Sequence, residues 1–175
     1  VVSQLQNPAY LHVILNHLPI IGMVMGIIAL LVGLFLRQPA ALVPGLAVVL
    51  IAGISAWPVY ETGSAAYKSI RKISDYESSD WLDEHMDRAD QTIWVFYATA
   101  GLACLAIGLP KRWPEAGVPL ATASLLAAVI CTGVSGYIAI PGGLVRHAEF
   151  RPDANASTDG RYQTETPVEK EDIGR

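Results

Sequence analysis

Apolar residues fill four stretches of the chain, about residues 11–36, 41–60, 93–109 and 118–140, and polar residues gather between and after them. A helix needs roughly 20 apolar residues to cross a hydrocarbon core of ~30 Å, so each stretch reads as a membrane span. The third is short for that purpose unless its helix begins earlier, inside "DEHMDRADQT". The first is longer than the 7–15-residue core of a secretory signal, so a retained span is expected there. The expected fold is all-α: an integral membrane four-helix up-down bundle over residues 1–151. A partly helical extramembrane loop joins spans two and three, and a polar C-terminal tail covers 152–175.

Composition sharpens this picture. Of the 175 residues 52% are hydrophobic and 16% charged, where a soluble domain carries about a quarter charged. A net charge of −4 without a basic stripe argues against nucleic acid as a partner. Cys104 and Cys131 fall inside spans three and four, where a free thiol packs as a small hydrophobe. The tail is too polar to offset its own ordering entropy, so it is expected to be disordered or held by a partner.

Small residues predict how the helices meet. Gly22, Gly26, Ala29 and Gly33 share one face of the first span. Ala121, Ser124, Ala128 and Ser135 share a face of the fourth, with Gly133 and Gly136 beside them. In lipid, where association depends on fit, such faces allow close approach of backbones. Short links then favour antiparallel neighbours.

Four spans put both ends of the chain and the 61–92 segment on one side, leaving "RQPA" and "PKRWPEAG" on the other. The two tight links carry Arg37, Lys111 and Arg112 against Glu115. The long segment carries Lys68, Arg71, Lys72 and Arg88 against eight carboxylates. Basic density in short loops marks the cytoplasmic side, which places the long segment and both ends outside.

All four histidines, His12, His17, His85 and His147, fall on that outer side. Span two ends there in "WPVYETG", adding Trp57, Tyr60 and Glu61. On a helix of ~100° per residue His12 stacks with Asn16, whereas His17 lies roughly 140° from His12. One small ligand is therefore not gripped by both without distortion. Pro19 offers a kink by removing the bond to the Leu15 carbonyl; otherwise each imidazole has its own partner, with His85 and His147 as the candidates.

Ionisable groups at membrane level are costly and commonly functional. A b-type haem would use two imidazoles from different helices. A zinc, iron or manganese site would combine histidine with Glu61, Glu84, Asp87 or Glu149. A quinone or proton site would need one or two histidines, a carboxylate and an aromatic wall. The plain alternative is polar capping, with His17 tying helix ends and His85 and His147 in solvent. Trp57, Tyr60, Trp94, Tyr97 and Tyr137 fit an interfacial aromatic belt, and Glu84 and Arg88 fit a helix-surface ion pair. "EHMDRAD" is neither HExxH nor the Glu-x-x-His of di-iron bundles. No nucleophile–base set or phosphate loop occurs, so the chain is not expected to be an enzyme on its own.

Together, "LHVILNHLPIIG", "YETG", "EHMDRAD" and "GGLVRHAEFR" resemble a group of bacterial four-helix membrane proteins with no assigned activity, over roughly residues 10–151. Similar domains occur fused to, or beside, c-type cytochrome modules. The resemblance implies a multi-pass protein of the bacterial plasma membrane with its histidines on the periplasmic face. The expected function is a subunit of a respiratory or photosynthetic electron-transfer system, with haem b or a metal as cofactor. Its expected partners are the lipid bilayer, other membrane subunits and a c-type cytochrome or quinone. The competing expectation is a cofactor-free accessory subunit of a larger complex.

Overall fold

The computed structural model describes residues 4–152 and is helical almost throughout. Helix α1 runs Pro8–Leu15, α2 His17–Leu36, α3 Pro39–Ile73, α4 Tyr76–Gly108 and α5 Gly117–Arg146. Four helical stretches, Pro8–Leu36, Pro39–Ile73, Tyr76–Lys111 and Pro114–Arg146, are long and apolar enough to cross a membrane. The chain has the fold of a multi-pass membrane protein.

Local chemistry sets the helix ends. The Asn7 side chain accepts from the Ala9 N–H at 2.9 Å, with Pro8 in the first helical position of α1, where its missing N–H costs nothing. The first span then breaks at Asn16, because Pro19 three residues on cannot donate to the Leu15 carbonyl. Arg37 closes α2 in the left-handed region at φ 52°. Asp75 starts α4 by accepting from the Ser78 N–H at 2.6 Å.

Helices α3 and α4 contain 35 and 33 residues, about 50 Å each at ~1.5 Å per residue. Both outrun the ~30 Å hydrocarbon core. The segment between spans two and three is thus a continuous helical hairpin, interrupted only at Ser74 and Asp75. The third span is no longer short, because its helix begins at Tyr76.

Around the bundle the order is α2, α3, α4, α5, with α5 closing back onto α2 and α1 lying along α3. The core holds Met23 and Leu30 from α2, Val49 from α3, Phe96 and Ala103 from α4, and Ala128 and Cys131 from α5. Small residues set the spacing as expected. A Cβ on Gly53 would stand 2.8 Å from the Phe96 carbonyl oxygen, so α3 and α4 approach backbone to backbone there. Ala121, Ser124, Ala128 and Ser135 are all buried. Gly133 and Gly136 do not extend that face: nothing lies within 4 Å of where their Cβ atoms would be. Outward-facing Phe35, Ile51 and Leu126 belong to an exposed apolar surface suited to lipid.

The end of α5 is tied down by a residue at the edge of the expected domain. Arg151 is 7% exposed. Its guanidinium donates to the Leu144 carbonyl at 2.9 Å, the Ser78 hydroxyl at 2.6 Å and Glu77 at 3.2 Å. It thereby joins the last turn of α5 to the first turn of α4. From residue 153 on, the tail expected to be disordered or held by a partner lies outside the described residues.

Candidate functional site

His12 and His85 face each other across the bundle, where α1 lies on α3 and α4 lies on α5. His12 Nδ1 is 2.9 Å from the carbonyl oxygen of Val59 on α3. His85 Nδ1 is 2.8 Å from the carbonyl oxygen of Ile138 on α5. A carbonyl only accepts, so each Nδ1 carries the proton and donates, which leaves each Nε2 with a lone pair. The ring centres are 6.1 Å apart and the ring planes cross at 82°.

Two glycines make these hydrogen bonds possible. Helical side chains lean toward the N-terminus, so the residue at i+4 overhangs the carbonyl of residue i. Four residues beyond Val59 is Gly63, and four beyond Ile138 is Gly142. A Cβ on Gly63 would meet His12 Nδ1 and Cε1 at 2.9 Å, and one on Gly142 would meet His85 Nδ1 at 2.9 Å. The same device thus serves both rings, from two different helices.

Beside His85, Pro141 removes the N–H that would bond the Tyr137 carbonyl. Arg88 fills the vacancy, donating Nη1 to that oxygen at 2.7 Å and lying 4.2 Å over the Tyr137 ring. Its Nε donates to Glu84 at 2.7 Å. The expected surface pair of Glu84 and Arg88 is therefore also a clamp between α4 and α5. Farther out, Tyr67 donates to Asp83 at 2.5 Å, and Arg71 pairs with the same carboxylate, tying α3 to α4.

The imidazole pair divides a cleft into two chambers. The inner one is walled by Pro19, Ile20, Ala56, Met86, Ile93 and Phe96 and holds about 680 Å³ of empty space, part of it open. The outer one is lined by His17, Tyr67, Gly143, Arg146 and His147 as well as the pair itself. Asn16 borders both chambers, and its buried Oδ1 has no hydrogen-bond partner among the described residues.

The four histidines do gather at one end, but they do not act alike. His17 Nδ1 turns back to the Val13 carbonyl at 3.0 Å on its own side of the helix. His147 Nδ1 lies 3.0 Å from Glu149 Oε1, and its ring rests against Phe150. Both border the outer chamber. Of the candidate carboxylates, Glu84 serves Arg88 and Glu149 serves His147, while Glu61 and Asp87 are exposed. Among the described residues no three His, Cys, Asp or Glu side chains gather as metal ligands, so the sets combining histidine with Glu61, Glu84, Asp87 or Glu149 are not assembled. Trp57 and Trp94 point outward, as a belt requires, whereas Tyr60 lines the inner chamber.

Sequence reasoning missed Gly63, Gly142 and Arg151 as structural determinants, and it saw Arg88 only as a partner of Glu84. The available signals were the glycine of "YETG", the first glycine of "PGG", which lies inside α5 rather than in a turn, and the arginine that closes "HAEFR". No family model, curated protein or solved structure matches the chain.

Proposed function

We propose that the cleft holds one b-type haem between His12 and His85, and that the protein is a membrane-embedded electron-transfer subunit. The observation that carries the proposal is the spacing of the two rings. A metal–imidazole bond of about 2.0–2.1 Å, with the ring centre roughly 1.1 Å behind the nitrogen, puts two collinear imidazoles about 6.3 Å apart. The observed separation is 6.1 Å. Both Nδ1 protons are already committed to carbonyls, the outer hydrogen bond that fixes a ligating histidine and raises its basicity.

The shape of the cleft, continuing on both sides of the pair, favours a planar group over a lone ion. Space extends into the inner chamber beside Ile93 and Phe96 and into the outer one beside Tyr67 and Arg146. The apolar wall of the inner chamber suits a macrocycle, and a single ion would lack a third ligand among the described residues.

Were haem bound, His12 and His85 would hold its iron and the group would supply one-electron transfer. The chain's contribution is to hold the two rings at fixed separation and to exclude water from the inner chamber. The histidine end carries the α3–α4 hairpin, so a soluble c-type cytochrome or a quinone at that surface is the natural electron partner. The family resemblance points to the same redox setting, in the bacterial plasma membrane with this end periplasmic.

The test is an absorption spectrum of the full chain purified from membranes, oxidised and then reduced with dithionite, with haem and protein quantified. One haem b per chain with a low-spin reduced α-band supports the reading. A colourless protein that binds no added haem and copurifies with other membrane subunits would replace it with the accessory-subunit alternative.

A further inference from the structure

The haem reading leaves open which way the macrocycle lies, and the two chambers differ in a way that decides it. A haem has one apolar edge and one edge bearing two carboxylates. The inner chamber offers side chains such as Ile20, Met86, Ile93 and Phe96 and no cation. The outer chamber is lined by Arg146 and by His17 and His147, and no Asp or Glu lines it. Arg146 forms no ion pair with a described residue. Asp75, which borders the small adjoining pocket with it, is already engaged by the Ser78 N–H and by Arg151.

Resting on the haem reading, we propose that the outer chamber is a carboxylate-binding site. Arg146 pairs with a haem propionate there, and His17 and His147 flank the second. Asn16 supports this assignment. It borders both chambers, with Oδ1 buried and unpartnered among the described residues and its N–H₂ not among the buried unpartnered atoms, so the amide has a donor to offer a carboxylate. The site would accept a planar macrocycle with acidic groups on one edge and would discriminate against one whose acids are esterified.

The experiment titrates the full chain, purified from haem-starved cells, with iron protoporphyrin IX and separately with its dimethyl ester. Wild type is expected to bind the free acid more tightly than the ester. Arg146→Gln is expected to weaken free-acid binding by about tenfold, the loss of one charge-assisted hydrogen bond, while leaving ester binding and the bis-imidazole spectrum unchanged. Arg146→Lys should recover most of the difference. Equal binding of both porphyrins by wild type and Arg146→Gln would overturn the assignment and place the carboxylates elsewhere around a valid haem site. A wild type that binds neither porphyrin removes the haem reading and this assignment together, and is told apart by the absent spectrum.

Discussion

Gly142 lies directly behind the His85 ring, so close that a Cβ on it would stand 2.9 Å from Nδ1. The ring reaches the Ile138 carbonyl only because position 142 has no side chain. Gly142→Ala should push His85 off that carbonyl, with a cost typical of overpacking, about 1–3 kcal/mol. The bound-haem fraction and the thermal midpoint should both fall. Gly63→Ala should do the same through His12, whose Nδ1 and Cε1 a Cβ would meet at 2.9 Å. Gly136→Ala, with nothing within 4 Å of the new methyl, is the matched control and should bind haem as wild type does.

Crossed rings make a spectroscopic prediction. The His12 and His85 planes meet at 82°, and perpendicular axial imidazoles leave the iron d orbitals nearly degenerate. The oxidised protein should therefore show a strongly anisotropic low-spin electron paramagnetic resonance signal with one dominant large g value. A rhombic three-line spectrum would mean that the rings rotate toward parallel when haem binds.

The Arg151 latch should matter for stability more than its place at the chain's polar end suggests. Its side chain is 6% exposed and joins Glu77, Ser78 and the last carbonyls of α5. Arg151→Ala removes charge-assisted hydrogen bonds and leaves buried acceptors unmatched, for an expected loss of about 2 kcal/mol. Thermal unfolding in detergent, followed by circular dichroism, measures it. Arg151→Lys keeps the charge but not the planar fork and should recover only part.

Low pH should loosen the same corner. The Ser78 N–H that Asp75 caps, helped by the Ser78 hydroxyl and Arg151, holds the Asp75 carboxyl below the usual carboxylate range. Its folded pKa is lower than its unfolded one. The stabilisation it brings is therefore present above the unfolded pKa and is lost as pH falls through the folded value. Between about pH 5 and pH 3 the melting temperature of wild type should fall more than that of Asp75→Asn, which keeps the cap without the titration. Parallel curves for the two proteins would count against the cap as a titrating element.

Much of the fold was legible because hydrophobic length and small-residue spacing are local signals. The four spans, the break after Leu15 and the buried face of Ala121, Ser124, Ala128 and Ser135 all follow from them. The continuity of α3 and α4 was harder to see, since their outer halves are polar and read as loop. Only Ser74 and Asp75 interrupt the helices there. At the site, the histidines could be assigned to one end but not sorted. The hydrogen bonds that distinguish His12 and His85 reach residues 47 and 53 positions away, and they depend on glycines whose role appears only when a neighbouring helix is in place. His17 and His147 bond to residues four and two positions away, which ties them down locally and removes them from the pair.

The most direct test of the account replaces each histidine in turn and records reduced-minus-oxidised spectra of equal amounts of folded protein. The paired cleft predicts that His12→Ala and His85→Ala abolish the low-spin α-band. His17→Ala and His147→Ala should keep it, with haem content near that of wild type. Loss of the band in His17→Ala or His147→Ala, with His12→Ala unaffected, would contradict the pairing of His12 with His85 as the axial ligands.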